Sequence, residues 1–188
     1  MSYNHSTVVG LFTVALVGVT LALPIPASGQ RCPRAFAAKA VNPTARPKVV
    51  VISGTNRADS NTLKISHQVR ESFESQGADA VLLDIATVPL ATYRGDRYFN
   101  TPKSFQKNFD AKISEADAIV IVFPEYHGTY PGMLGTFLNY VQASFQGKPI
   151  GMVGLSAGIL GGQKGAENLG TTFRHRKADV IGEAQVNI

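Results

Sequence analysis

Residues 49–63 read VVVISGTNRADSNTL. The first four, Val49–Ile52, are apolar and β-branched, which is typical of a strand buried on both faces. The loop that follows, residues 53–62, is rich in hydroxyl groups, and after it apolar residues recur at helical spacing as far as Phe73. This order predicts a strand, a turn and a helix whose N-terminus lies near the end of the strand.

The start of a helix offers unpaired N–H groups and a partial positive charge, and an anion satisfies both. The loop adds donors of three kinds, namely hydroxyls, an amide and a guanidinium: Thr55, Ser60, Thr62, Asn61 and Arg57. Ser60 and Asn61 are also good capping residues, so an ordinary helix cap is the alternative. The segment favours a phosphate site.

Two further loops follow strand-like runs. Residues 118–123 are continuously apolar and end in PEYHGTYPG, residues 124–132. The glycines of this loop allow the backbone to bend or to approach a ligand closely, and Tyr126 and Tyr130 offer flat aromatic surface. Residues 149–155 form a third strand candidate and end in SAGILGG, residues 156–162. Taken singly, each of these loops is typical of ordinary turn structure.

Together the three loops resemble those of the NADPH-dependent FMN reductase family. This branch of the flavodoxin-like folds includes quinone, azo-dye and chromate reductases. The family patterns G-[ST]-x-R-x-x-S-x-[NT] and P-E-Y-N-G-[ST]-x-P-G match residues 54–62 and 124–132. The glycine-rich loop of the family is similar to residues 154–165, and the resemblance extends over residues 48–188.

The fold predicted here is an α/β, flavodoxin-like three-layer fold. Strand-like and helix-like segments alternate along residues 48–186, which indicates a parallel sheet covered by helices. The strand-like segments are 48–53, 79–84, 117–123, 149–155 and 179–186, and the helix-like segments are 60–76, 103–115, 131–143 and 163–176. The resemblance implies five strands in the order 2-1-3-4-5. The strands that end at Ser53 and Phe123 are then neighbours at a topological switch point, where flavodoxin binds FMN.

The resemblance also implies non-covalent FMN and NADPH as co-substrate, with hydride passing to FMN and on to a quinone-like or other small acceptor. The first loop, through Thr55, Arg57, Ser60, Asn61 and Thr62, holds the phosphate. The isoalloxazine ring is bordered by Pro124, Glu125, Tyr126, His127 and Gly128, and its pyrimidine edge by Ser156, Ala157 and Gly158. The flavin performs the redox chemistry, so no catalytic side chain is assigned, and Glu125 is expected to be structural or ring-orienting. An FMN-binding electron carrier or redox sensor is the alternative.

Three departures from the family pattern bear on flavin binding. His127 stands where the family usually has Asn, and residues 174–178 are polar where the family tends to have Leu and Gly. The sequence ends at Ile188, whereas family members usually continue from the last strand into a helix. A truncated domain that binds flavin poorly is therefore a further alternative.

The N-terminal region lies outside the family pattern. Residues 1–29 form an apolar leader in which Val8–Leu23 carry no charge, and residues 30–47 form a linker before the domain at 48–188. The leader is a candidate signal peptide or membrane anchor, although its first seven residues contain no Lys or Arg. A misassigned start and another targeting peptide are the alternatives. The family resemblance implies the cytoplasm, whereas a genuine leader implies export or membrane attachment.

Charge and composition limit the possible partners. The chain carries 18 basic and 13 acidic residues, but residues 48–188 hold 14 basic against all 13 acidic residues. This near balance argues against a nucleic-acid partner. Cys32 is the single cysteine, so no intrachain disulfide can form, and no metal-ligand spacing is evident. The resemblance implies a homodimer or homotetramer, and residues 84–102 are expected to form a lid or a subunit contact.

Overall fold

A computed structural model describes residues 46–88, 101–158 and 160–187. Its centre is a parallel sheet of five strands: β1 Lys48–Ser53, β2 Asp79–Asp84, β3 Ala118–Pro124, β4 Pro149–Ser156 and β5 Asp179–Asn187. The strand order is β2-β1-β3-β4-β5. The predicted fold class and strand order are therefore confirmed.

Four helical segments connect the strands. They are α1 Asn61–Ser75, α2 over residues 103–115, α3 Gly132–Tyr140 and α4 Gln163–His175. Helix α2 is interrupted by a π-helical stretch, Gln106–Asp110, between α-helical Lys103–Phe105 and Ala111–Glu115. A short 3₁₀ turn, Ile85–Thr87, follows β2.

Helices pack against both faces of the sheet. Helix α1 covers β1 and β3 through Val69 and Phe73, while α2, α3 and α4 pack on the opposite face. Every residue of β3 is buried. Burial on both faces is why this strand is a continuous apolar run, and the sheet brings its carboxyl end to the middle of one edge.

Several sequence predictions lie outside the described residues. These are the leader at residues 1–29, the linker as far as residue 45, Cys32, and most of the 84–102 connection, of which residues 89–100 are not described. Among the helices that are described, none has the length and apolar character needed to cross a membrane.

The polar stretch 174–178 has a structural role at the end of α4. The Arg176 guanidinium donates to the carbonyls of Leu138 (3.0 Å) and Val141 (2.8 Å), and it lies 4.5 Å from the centre of the Phe145 ring. Carbonyls at a helix C-terminus lack partners within the helix. Arg176 therefore closes the end of α3 and joins it to α4.

A buried carboxylate holds the segment just after α3. Asp110 accepts hydrogen bonds from the backbone N–H groups of Gln142 (3.0 Å) and Ala143 (3.3 Å). Burial raises the pKa of the Asp110 carboxyl, and the two amide hydrogen bonds oppose that rise. This anchoring accompanies the end of α3 at Tyr140, three residues before the end predicted from the sequence.

Lys177 occupies a left-handed position that suits glycine. Its φ is 60°, and the N–H of Ala178 donates to the carbonyl of Phe173 at 3.0 Å, which closes the end of α4. Gly77 takes the same place after α1, with a φ of 88° and an equivalent hydrogen bond from the N–H of Ala78 back into that helix. The left-handed backbone conformation at this helix end explains why the family pattern tends to have glycine here.

We expect Lys177→Gly to raise the free energy of unfolding by about 0.5–1 kcal/mol, because glycine removes the Cβ strain of the left-handed conformation. Urea unfolding of the full chain measures the change. The reciprocal control, Gly77→Lys, should destabilise by a similar amount. A destabilised Lys177→Gly variant would contradict this account of the helix end.

Candidate functional site

Three loops meet at the carboxyl edge of the sheet, where β1, β3 and β4 lie side by side. The N–H of Gly54 donates to the carbonyl of Val122 at 2.7 Å, which joins the end of β1 to β3. The N–H of Glu125 donates to the carbonyl of Leu155 at 2.7 Å, which joins the end of β3 to β4. The loops 54–60, 125–131 and 156–162 therefore start next to one another, although they are far apart in the sequence.

Gly54 allows the first loop to leave β1 directly against β3. A Cβ atom at this position would lie 3.0 Å from the Cβ of Phe123 and 3.0 Å from the carbonyl oxygen of Val122. Such contacts are tighter than real side chains tolerate without movement of the neighbours. The glycine of the first motif is thus explained by a close backbone approach.

The hydroxyl groups of the first loop organise its backbone. The Ser60 Oγ accepts a hydrogen bond from the N–H of Leu63 at 3.0 Å and forms the N-cap of α1. The Thr55 Oγ accepts from the N–H of Arg57 at 3.3 Å. Thr55, Ser60 and Thr62 are buried, whereas Arg57 and Asn61 are exposed. Ser60 is therefore the N-cap of α1, as the alternative interpretation expected, whereas Asn61 is the first residue of the helix.

Several donors at the start of α1 have no acceptor within the described part of the chain. No hydrogen bond from the backbone N–H of Asn61 or Thr62 occurs there, and the exposed Arg57 forms no ion pair with a described residue. The Ser53 Oγ, at the end of β1, is buried without a partner among the same residues. These groups make the start of α1 a candidate anion site.

The second loop contains a two-residue hairpin turn. The N–H of Tyr126 donates to the carbonyl of Thr129 (2.9 Å), and the N–H of Thr129 donates to that of Tyr126 (3.1 Å). The two central residues, His127 and Gly128, have φ values of 54° and 75°. Positive φ at both positions is typical of a type I′ turn, for which Asn-Gly is strongly preferred.

The side chain of Glu125 is bound to α4. Its Oε2 accepts a hydrogen bond from the N–H of Gly165 at 2.8 Å, in the first turn of that helix. A carboxylate at this position satisfies one unpaired N–H and lies at the positive end of the helix dipole. This contact favours a structural role for Glu125 over a role as proton donor.

The glycines of the third loop allow two backbones to touch. A Cβ on Gly154 would lie 2.6 Å from the carbonyl oxygen of Gly162, and Gly162 itself has a φ of 90°. At the start of the loop, the Ser156 Oγ accepts from the N–H of Gly158 at 3.1 Å, while Ala157 and Gly158 are exposed. The exposed part of the loop borders the same edge as the first two loops.

The rim of the three loops is apolar in two places. Tyr126 and Leu160 are the large hydrophobic residues that stand exposed in the described chain, at 44% and 51%.

Within residues 46–88, 101–158 and 160–187, no group of three or more His, Cys, Asp or Glu side chains could hold a metal ion.

The glycine-rich and proline-rich loops at one sheet edge agree with a known family. The model of the NADPH-dependent FMN reductase family matches residues 47–188. The chain belongs to this family. The resemblance expected from the sequence is therefore confirmed.

Curated relatives of this family include an FMN-dependent NADPH-azoreductase from Staphylococcus saprophyticus, 31% identical over 117 residues. A protein of the same description from Staphylococcus aureus strain USA300 is 30% identical over 119 residues. In both cases the match covers 60% of this chain and 62% of the relative. The chain therefore aligns with less than two thirds of the length of these relatives.

Solved structures share the fold. The flavoenzyme FerB from Paracoccus denitrificans, an NAD(P)H:(acceptor) oxidoreductase, has a TM-score of 0.59 and 24% identity, and the match covers 76% of each chain. A flavodoxin of Streptococcus pneumoniae TIGR4 has a TM-score of 0.51 and 17% identity, with coverage of 77% of this chain and 86% of the flavodoxin. At these identities the likeness establishes the flavodoxin-like fold alone.

His127 departs from the family pattern in its side chain but keeps the backbone conformation of the turn. Histidine is among the residues that adopt positive φ more readily than most, and asparagine does so as well. We expect His127→Asn to keep the stability of the chain within about 0.5 kcal/mol, since both residues suit this conformation. His127→Val should lose about 1–2 kcal/mol, because a β-branched residue is strained there. Thermal unfolding of both variants checks this; equal stability of the two would contradict the turn assignment.

Sequence reasoning missed the residues of α4 that contact the second loop. The Asn168 Nδ2 donates to the carbonyl of Gly128 at 3.0 Å, and the hydroxyls of Tyr130 and Thr172 lie 3.3 Å apart. Gly165 belonged to the third motif, but no local pattern marked Asn168 or Thr172. Their partners are 40 and 42 residues away, so only the tertiary structure identifies them.

Proposed function

We propose that this chain is an FMN-dependent NAD(P)H oxidoreductase that passes electrons to a small conjugated acceptor. The observation that carries the proposal is the start of α1, at the switch point between β1 and β3, where an exposed arginine lies near N–H groups that have no acceptor in the described part of the chain. In folds of this class, ligands bind in that crevice.

The first loop would hold the FMN phosphate. The exposed Arg57 supplies the positive charge, and Asn61 and Thr62 supply backbone N–H groups at the positive end of the α1 dipole. The hydroxyls of Thr55 and Ser60 accept backbone hydrogen bonds and keep their own protons to donate. Charge-assisted hydrogen bonds contribute roughly 1.5–3 kcal/mol each, so this donor set fits a phosphomonoester.

The other two loops would border the ring system. Residues 124–128 would lie along the isoalloxazine ring, and residues 156–158 would approach its pyrimidine edge with N–H and hydroxyl groups. Bound FMN supplies hydride and electron transfer, and the protein binds and orients it. Because the flavin performs the redox chemistry, no side-chain acid or base is assigned. The hydrogen bond between the Glu125 carboxylate and α4 supports a structural or ring-orienting role for this residue.

The acceptor would bind over the apolar part of the rim. The exposed surfaces of Tyr126 and Leu160 offer flat and aliphatic contacts suited to a planar, conjugated molecule. Quinones and azo compounds both fit this description, and the curated relatives described as azoreductases support the second class. Self-association as a homodimer or homotetramer would add a further wall to this open site.

The identity of the flavin tests the proposal first. The purified full chain should bind flavin, and heat release followed by chromatography should yield FMN, since one anion site fits one phosphate. FAD as the main released species would contradict the assignment of the first loop.

Turnover separates the reductase from an electron carrier. With NADPH in excess, the holoprotein should reduce a panel that contains a quinone and an azo dye over many cycles. A protein that retains FMN but turns over neither acceptor class would support the carrier alternative.

A further inference from the structure

One face of α4 forms hydrogen-bond contacts with the loop 125–130 from the start of the loop to its end. The N–H of Gly165 binds the Glu125 carboxylate at 2.8 Å, and the Asn168 amide binds the carbonyl of Gly128 at 3.0 Å. One turn further on, the Thr172 hydroxyl lies 3.3 Å from that of Tyr130. Residues at this spacing follow one side of a helix, so the start, the turn and the end of the loop each have a contact on α4.

The helix also packs directly on this loop. A Cβ on Gly165 would lie 2.8 Å from the Cε2 of Phe123 and 3.4 Å from the carbonyl carbon of Thr129. The glycine therefore brings the first turn of α4 against the end of β3 and against Thr129 in the second half of the loop. The side chains of Asn168 and Thr172 then reach the turn and Tyr130 across a short gap.

We propose that Asn168 and Thr172 are positioning residues, which hold the loop 125–130 in the conformation that receives the flavin ring. This inference rests on the proposed function. The loop is exposed at Tyr126 and His127, and its turn depends on two successive residues at positive φ. Without the contacts to α4, such a segment would populate other conformations.

The expected effect on flavin binding follows from the fraction of protein whose loop 125–130 is in the binding-competent conformation. The apparent dissociation constant equals the intrinsic constant divided by the fraction of protein in the competent conformation. FMN and riboflavin share the ring and differ in the phosphate. Weakening the hold on the loop should therefore raise both dissociation constants by the same factor, whereas a phosphate contact affects FMN alone.

The test compares three forms of the full chain. Asn168→Ala with Thr172→Val removes both side-chain contacts to the loop, and the matched control is Thr171→Val. Thr171 is exposed, and its hydroxyl binds the carbonyl of Glu167 within α4 at 3.0 Å, just as Thr172 also approaches the carbonyl of Asn168 at 3.4 Å. The control thus removes an equivalent hydroxyl from the same helix without touching the loop.

We expect the double variant to bind FMN and riboflavin about five- to tenfold more weakly than the wild type, and the control to stay within about twofold. Hydrogen exchange without added flavin gives a second readout. The N–H groups of Tyr126 and Thr129, which close the turn, should exchange about tenfold faster in the double variant than in the control.

Equal affinity and equal exchange in the double variant and the control would overturn the inference. A loss of affinity for FMN but not for riboflavin would overturn it as well, since it would place the effect at the phosphate. A wild-type chain that binds neither flavin would contradict the proposed function and the flavin role of these residues together. In that case, the exchange rates still show separately whether α4 holds the loop.

Discussion

Replacing Gly162 by alanine is expected to lower the free energy of unfolding by about 2–5 kcal/mol. Gly162 has a φ of 90°, where a Cβ is strained by about 1–2 kcal/mol. The new Cβ would also lie 2.6 Å from the carbonyl carbon and 2.7 Å from the Cα of Gly154 in β4. These neighbours are backbone atoms of a central strand, so they cannot move aside, and overpacking adds about 1–3 kcal/mol.

The matched control for this change is Gly77→Ala. Gly77 has nearly the same φ, 88°, but beyond its own chain neighbours nothing in the described part of the protein lies within 4 Å of a Cβ placed there. Urea unfolding of both variants separates conformational strain, which they share, from the backbone contact, which only Gly162 has. An equal loss of stability in the two variants would contradict the predicted clash between the new Cβ at position 162 and the backbone of Gly154.

The second large effect is expected for Arg57→Ala, which should weaken FMN binding by about 1.5–3 kcal/mol, or about 10- to 150-fold. The exposed guanidinium has no described ion-pair partner, so its charge is available to a phosphate dianion. Riboflavin, which lacks the phosphate, should bind both forms equally. Isothermal titration of the two ligands measures the difference.

A control on the same helix accounts for general charge effects. Lys64→Ala removes one exposed positive charge from the first turns of α1 and should change FMN affinity by less than about 0.5 kcal/mol at moderate salt. Equal losses of FMN and riboflavin in Arg57→Ala would mean that Arg57 acts through folding. Unchanged FMN affinity would place the phosphate elsewhere.

The strands could be predicted closely because of their burial. Residues 48–53 and 79–84 coincide with β1 and β2, and the apolar run at 118–123 is β3 short of its last residue. Helix boundaries were predicted less closely where tertiary contacts end a helix. Helix α3 stops at Tyr140, and the π-helical stretch of α2 has no counterpart in the periodicity of the sequence.

The candidate site was predictable where a motif reflects local backbone chemistry. Ser60 caps α1, as a serine before a helix is expected to do, and Gly54 and Gly128 occupy positions that need glycine. The contacts that fix the second loop were not predictable, because they come from α4, which lies about 40 residues further along the chain. The flavin roles of the loop residues stay predictions, as does the domain boundary at residue 48.

The most direct measurement of the central claim is an anaerobic titration of the FMN-loaded full chain with NADPH. We expect the visible absorbance of the flavin to bleach with about one equivalent of NADPH, because hydride transfer carries two electrons, and to return on addition of a quinone or an azo dye. Bound FMN that stays oxidised in excess NADPH would contradict the assignment of this chain as an NADPH-dependent reductase.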